Sequence, residues 1–279
     1  MSAAMQWYPA PAKLNLFLHV LGRRADGMHL LQTVFRFIDR EDRVGIAAAG
    51  DSAITRIDPL PGVALDADLC VRAARLLKSA TGAASGAVLA LDKRIPIGGG
   101  LGGGSSDAAT VLFVLNRLWN TGLAREELMR LGEKLGADVP VFLFGENAIA
   151  EGIGERLRPV LLQPAWYLVL TPQVTVSTQE IYSDAALTRD SEPLKIPPFL
   201  PGQGSNDLEP VVMRRYPEVA KCLDWLRHRR PDARMTGSGA CVFAEFATET
   251  EARALRSQLP ESMHGFVAQG LERHPLCNG

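Results

Sequence analysis

Between Gly98 and Gly104 the chain has only one side chain larger than hydrogen, Leu101, and Ser105-Ser106 follow directly. Glycine permits left-handed backbone and lets the main chain approach a ligand closely. What stands on either side decides whether such a run is a linker or a site. Gly86–Asp92 upstream reads as an apolar strand, leading in through Lys93-Arg94-Ile95-Pro96. Downstream, Ala108, Ala109, Leu112, Leu115, Leu118 and Trp119 recur at helical spacing up to Gly122. A strand, a glycine loop and a helix in succession place free backbone N–H groups and the positive end of a helix dipole at one point, which predicts an anion site for phosphate over Pro96–Ser106.

Two commoner phosphate motifs do not fit. The run lacks the Gly-Lys-Ser/Thr ending of a P-loop. Gly98-x-Gly100-x-x-Gly103 matches a dinucleotide fingerprint, but the region about 20 residues on, Gly122–Glu127, reads as a helix start rather than a strand ending in an acid. A nicotinamide dehydrogenase is therefore disfavoured.

The 279 residues suggest two domains, at 1–160 and 161–279, with the boundary near Pro159–Pro164. In the first, alternation from Ala12 to Val20 predicts a half-buried strand with Lys13 and Asn15 on one face. Gly22–Gly27 reads as a turn and Leu30–Ile38 as the pairing strand. Helices are expected over Asp68–Ala80, ended by Gly82, and over Arg125–Leu135, with Pro140 in a further first turn. The second half alternates strands (Trp166–Thr171, Arg234–Phe246, Gly265–Gly270) with helices (Asp207–Tyr216, Pro217–His228, Glu249–Gln258), an α+β pattern. Ser191–Pro201, with four prolines, reads as an irregular connection.

A net charge of -1, from 30 Lys+Arg against 31 Asp+Glu, gives no broad attraction to nucleic acid or to an anionic membrane. Arg227-His228-Arg229-Arg230 reads as a solvated helix end. Cys70, Cys222, Cys241 and Cys277 are too dispersed for structural zinc or a disulfide scaffold. With no apolar leader and no long apolar run, a soluble, cytoplasmic chain is expected.

Pro11-Ala12-Lys13-Leu14-Asn15-Leu16, the Pro96–Ser106 segment and Thr236-Gly237-Ser238-Gly239-Ala240 occur in the order of the three motifs of the GHMP kinase superfamily, which this chain resembles along nearly its whole length. Arg24–His29, Gly136–Pro140 and Ser205–Glu209 are similar to the branch whose acceptor is 4-diphosphocytidyl-2-C-methyl-D-erythritol, in the non-mevalonate route to isoprenoids. The resemblance implies a two-domain α+β kinase with a ferredoxin-like C-terminal domain, ATP as donor and Mg2+ with it, the metal's protein ligands unknown. It implies a small-molecule acceptor, no nucleic-acid or membrane partner, and a monomer or weak homodimer. It makes Lys13 and Asp138 the catalytic pair, although local sequence alone reads Asp138 as a helix cap and Lys13 as a surface strand residue. It assigns ATP to Pro96, Ile97, Gly98, Gly99, Gly100, Leu101, Gly102, Gly103, Gly104, Ser105 and Ser106. It assigns the acceptor to Asn15, Met28, His29, Tyr182, Thr236, Gly237, Ser238 and Gly239. Met28 departs from the pattern, since that branch often has an aromatic ring there to stack on cytosine. Other superfamily kinases, and a nucleotide sensor without turnover, remain alternatives.

Overall fold

A computed structural model describes residues 4–57, 63–196 and 198–277. The first half is built on β1 (Gln6–Arg23), β2 (His29–Ala49), β3 (Ile54–Arg56) and β4 (Gly86–Asp92), with helix α1 (Leu69–Thr81) between β3 and β4. Three helices follow, α2 (Gly103–Leu118), α3 (Arg125–Glu133) and α4 (Val139–Phe144), then β5 (Ala148–Gly152) and β6 (Arg156–Pro159). Five of these strands run in the order β3-β4-β2-β5-β6, and β1 pairs antiparallel with β2 beside that path. Helices α1 to α4 cover the sheet through a core that includes Phe37, Leu77, Leu112, Leu115 and Phe142.

The second half begins with β7 (Trp166–Leu170) and α5 (Thr178–Ser183), continues through α6 (Glu209–Arg215), α7 (Pro217–Arg227), β8 (Arg234–Met235) and β9 (Val242–Phe246), and ends with α8 (Glu249–Arg256) and β10 (Gly265–Gln269). Its four strands lie in the order β10-β7-β9-β8, all neighbours antiparallel. Numbered within this sheet, the order is 4-1-3-2 with helices in the crossovers, the ferredoxin-like arrangement expected of the C-terminal part.

Several expectations change. β1 is buried on both faces from Ala10 to Val20, so it is not the half-buried strand that its alternation suggests; one face meets α2 and the other the second sheet. The strand continues through Arg23 and turns over Arg24–Met28. Arg234–Phe246 is two strands around a glycine turn rather than one strand. α2 starts at Gly103, so Gly103–Ser106 form its first turn instead of a preceding loop. β5, β6 and α5 carry no clear periodicity, being too short to display one. The Ser191–Pro201 connection is irregular as expected, although Pro197 lies outside the described residues. Arg227–Arg230 is a helix end with His228 and Arg229 exposed, as expected, although Arg227 also pairs with Glu209 and Arg229 and Arg230 lie over the rings of Trp225 and Phe246.

A third apolar cluster joins the two sheets: Leu14, Phe17 and Ile38 meet Tyr167, Val169 and Phe243. Polar bonds reinforce it. Leu18 N donates to Ser205 O at 2.8 Å, Asp207 N to Leu18 O at 2.9 Å, and Arg234 Nη1 to Leu16 O at 2.8 Å.

Close packing also sets Asp138, the residue preceding α4. A Cβ added at Gly132 of α3 would lie 2.7 Å from Leu143 Cδ1 and 2.9 Å from Val139 Cγ1, so the two helices meet at a distance only glycine allows. Gly132→Ala should therefore push α4 away, costing about 1–3 kcal/mol as an overpacked core site. Urea denaturation measures this, and an unchanged midpoint would show that α4 has room to yield.

Candidate active site

The glycine loop owes its path to three left-handed glycines, Gly98, Gly100 and Gly102, with φ of 70°, 74° and 72°. At Gly100 a Cβ would sit 2.3 Å from Thr236 O, and at Gly102 it would sit 2.9 Å from Phe142 and 3.0 Å from Lys13 Cε. The loop therefore touches the Thr236 turn, α4 and Lys13 at once. All three contacts hold only because no side chain intervenes. α2 then begins at Gly103, and its first N–H groups are the ones a helix leaves without intrahelical partners.

Behind the helix start lies a charged network. Lys93 Nζ contacts Asp42 Oδ2 and lies 3.0 Å from Asp107 Oδ2. Asp42 Oδ1 accepts from Arg94 N at 2.5 Å and Ile95 N at 2.7 Å, fixing the chain between β4 and the loop. Burial pushes the Asp107 carboxyl up to about 7, against the opposing pull of Lys93.

Lys13 is 2% exposed, which removes the surface reading. A buried ammonium requires acceptors, and it has three, Asn15 Oδ1 at 2.6 Å, Gly100 O at 3.0 Å and Asp138 Oδ2 at 3.1 Å. Asn15 is held in turn, its Nδ2 donating to Thr33 Oγ1 at 3.0 Å. Asp138 occupies the N-cap position of α4, but its side chain makes no capping bond and turns to Lys13 instead.

Two cavities meet at this pair. The first, of about 440 Å³, is lined by Pro96–Ser105 together with Arg56, Leu69, Leu91 and Lys93. The second, of about 250 Å³, is lined by Lys13, Asn15, Leu31, Phe35, Tyr182 and Gly237, among others. Asp138 belongs to both walls.

The structure distributes the expected residues as follows. Ser106 is fully buried and lines neither cavity, so of the Pro96–Ser106 segment it alone is turned away. Thr236 stands behind its turn, where its hydroxyl accepts from Asn15 N at 2.9 Å. Gly239 faces the first cavity and Ser238 both. Met28 is 45% exposed, which excludes a core role for it, and neither cavity wall includes it or His29. His29 packs against Tyr182 with ring centroids 5.0 Å apart. The Ser205–Glu209 motif braces the turn: Asn206 Nδ2 donates to Met235 O and Gly237 O, and Glu209 Oε2 accepts from Met235 N. Arg189 and Thr178 went unnoticed in the sequence, for neither stands in a motif or a periodic run. Among the described residues, no three His, Cys, Asp or Glu side chains converge as a metal cage.

Fold, loop and the buried lysine paired with an aspartate define a phosphotransferase of the GHMP kinase type. The model for the GHMP kinases N terminal domain matches residues 68–146, and that for the GHMP kinases C terminal matches residues 199–265. The chain is similar to the 4-diphosphocytidyl-2-C-methyl-D-erythritol kinase of Nitrosospira multiformis, 61% identical over 96% of this chain and 92% of the relative. It is 59% identical to the enzyme of that name from Thiobacillus denitrificans, with 97% of each chain covered. A crystal structure of 4-(cytidine 5'-diphospho)-2C-methyl-D-erythritol kinase superposes with a TM-score of 0.81 at 33% identity, covering 95% of this chain and 99% of that one. Homoserine kinase from Cytophaga hutchinsonii shares the fold, with a TM-score of 0.70 at 15% identity over 97% of this chain and 95% of that one. The chain thus belongs to the 4-diphosphocytidyl-2-C-methyl-D-erythritol kinase family of GHMP kinases, and it is a kinase.

His29 yields a test of the site's electrostatics. Its Nε2 accepts from Arg189 Nε at 3.1 Å, which leaves the ring proton on Nδ1. Burial, then the charges of Arg189 and Arg23, hold its pKa below the usual 6.5. The neutral form is thereby favoured in the folded chain, so His29 opposes folding only as pH falls through the unfolded pKa, where the unfolded chain binds the proton more readily. Arg189→Gln should raise the His29 pKa toward its ordinary value, read by NMR titration of the ring. An unmoved pKa would show that burial alone sets it.

Proposed function

We propose that the chain transfers the γ-phosphoryl group of ATP to the 2-hydroxyl of 4-diphosphocytidyl-2-C-methyl-D-erythritol, in non-mevalonate isoprenoid precursor synthesis. The observation that carries this reading is the position of Asp138 on the common wall of two cavities, one bordered by the glycine loop and one by Lys13, Asn15 and Tyr182. A phosphoryl group needs such a junction, with donor on one side and acceptor on the other.

In this reading the ATP phosphates lie along Gly98–Gly104 against the N-terminus of α2, whose free N–H groups favour negative charge. Magnesium, when bound with the nucleotide, would supply positive charge against those phosphates. Ser105, on both walls, is the hydroxyl placed to face it. Asp138 accepts the proton of the acceptor hydroxyl while its oxygen forms a bond to the γ-phosphorus. The bond from phosphorus to the β-phosphate oxygen breaks, and ADP leaves with that electron pair. Lys13 orients Asp138 and compensates its charge. The cytidylyl end extends toward Tyr182 and His29, with Met28 at the exposed edge offering sulfur rather than a ring face. The enclosure of Tyr182 and the nearby Asp138 charge push its phenol pKa up, so it stays protonated and can act as a hydrogen-bond donor. Residues 1–160 form the nucleotide-binding domain and 161–279 its C-terminal partner.

Turnover with magnesium-ATP and a panel of alcohols, with the product identified by mass spectrometry, tests the substrate. Phosphorylation of the cytidylyl compound alone supports the reading. Transfer only to another alcohol replaces the substrate, and nucleotide binding without transfer replaces the kinase by a sensor. Asp138→Asn should keep nucleotide affinity while lowering turnover by about 100-fold or more, the scale of lost general-base help. Near-wild-type turnover in this variant would remove Asp138 from the role.

A further inference from the structure

Among the described residues, five border both cavities: Gly100, Ser105, Asp138, Thr178 and Ser238. A phosphoryl group passing between the cavities must pass among them. In flight it spreads negative charge over three equatorial oxygens, and each of these needs a donor. Lys13 is an obvious candidate by charge. Its three ammonium donors, however, already meet Asn15 Oδ1, Gly100 O and Asp138 Oδ2. Asp138 offers no positive charge. With Ser105 given to the metal in this reading, further side-chain donors come from the other side of the junction.

Thr178 and Ser238 stand there. Their hydroxyl oxygens are 2.6 Å apart, and either can donate to the other. Two hydroxyls carry two protons, and their mutual bond uses one, so the pair always retains a proton free to point elsewhere. Thr178 is exposed and Ser238 partly so, and the free proton therefore meets the cleft rather than the core. Nor does the start of α5 need the Thr178 hydroxyl, because Ser177 is the capping residue, its side chain accepting from Glu180 N.

We propose that Thr178, paired with Ser238, is a further catalytic residue, donating a hydrogen bond to an equatorial oxygen of the phosphoryl group during transfer. This rests on the reading that phosphoryl transfer occurs at the junction, but not on which alcohol accepts. The pair restrains α5 against the glycine turn when the site is empty and opens one bond toward the group in transit.

The test compares Thr178→Val, which keeps the shape and removes the hydroxyl, with Thr178→Ser, which restores it, in the full chain with magnesium-ATP. Thr178→Val should lower kcat by about 100-fold, the scale seen on losing one donor to a developing oxyanion. The KM values for both substrates should stay nearly unchanged, because the bond forms in transit. Thr178→Ser should recover most of the rate, and Ser238→Ala should cost less than Thr178→Val. A kcat for Thr178→Val close to that of the unmodified chain would overturn the proposal. So would a joint change in kcat, KM and thermal midpoint that Thr178→Ser leaves uncorrected, which would make the pair a structural latch. If the cytidylyl compound is not phosphorylated but another alcohol is, the substrate assignment fails and the same series is read on that alcohol. Absence of transfer to any alcohol or to water would overturn both.

Discussion

An ammonium group with almost no contact with water holds this molecule's working parts together. Lys13 sits on β1, and its three acceptors come from β1 itself, from the glycine loop and from the residue that precedes α4. Removing it would leave the Asp138 carboxylate without its counter-charge, and placing it anywhere else would leave a buried cation unsatisfied. The glycines follow from this demand, since a Cβ at Gly102 would press on the Lys13 stem. The register of β1 against the loop is fixed in the same way, with Lys13 N donating to Leu101 O at 3.0 Å.

The second sheet completes the site by packing rather than by reaching across with long side chains. The Thr236–Cys241 turn is held from below by Asn206 and Glu209 and from the front by Asn15 N, so Gly237, Ser238 and Gly239 face the cavities as backbone and small side chains. Cys241 N and Ala240 N donate to Gly99 O and Gly98 O, tying the two glycine segments to each other directly. The glycine loop and the Thr236–Cys241 turn are therefore one hydrogen-bonded unit.

Much of this was legible in the sequence wherever a local rule acts alone. β4, the glycine loop and α2 follow from a change of period from two to 3.6 across residues able to adopt positive φ, and Gly82 ends α1 in the left-handed conformation expected of it. Burial of Lys13 was not legible locally, because strand alternation assumes one wet face and β1 has none. The missing information is tertiary: the glycine loop and Asp138 enclose Lys13, and the Thr236 turn closes over Asn15. Thr178 and Arg189 escaped for a related reason. Both lie in short polar stretches whose significance comes from what the fold sets beside them, Ser238 for one and His29 for the other.

The cluster shared between the sheets also bears on motion. Leu14, Phe17 and Ile38 cannot part from Tyr167, Val169 and Phe243 without exposing a core, and the backbone bonds from Leu18 to Ser205 and Asp207 would break at the same time. The two halves thus have no hinge between them on the side where β1 runs. Opening of the cleft must therefore come from displacement of smaller pieces at its rim rather than from parting of the two halves. Movement confined to the rim would let the cleft open while the lysine at its floor stays dry.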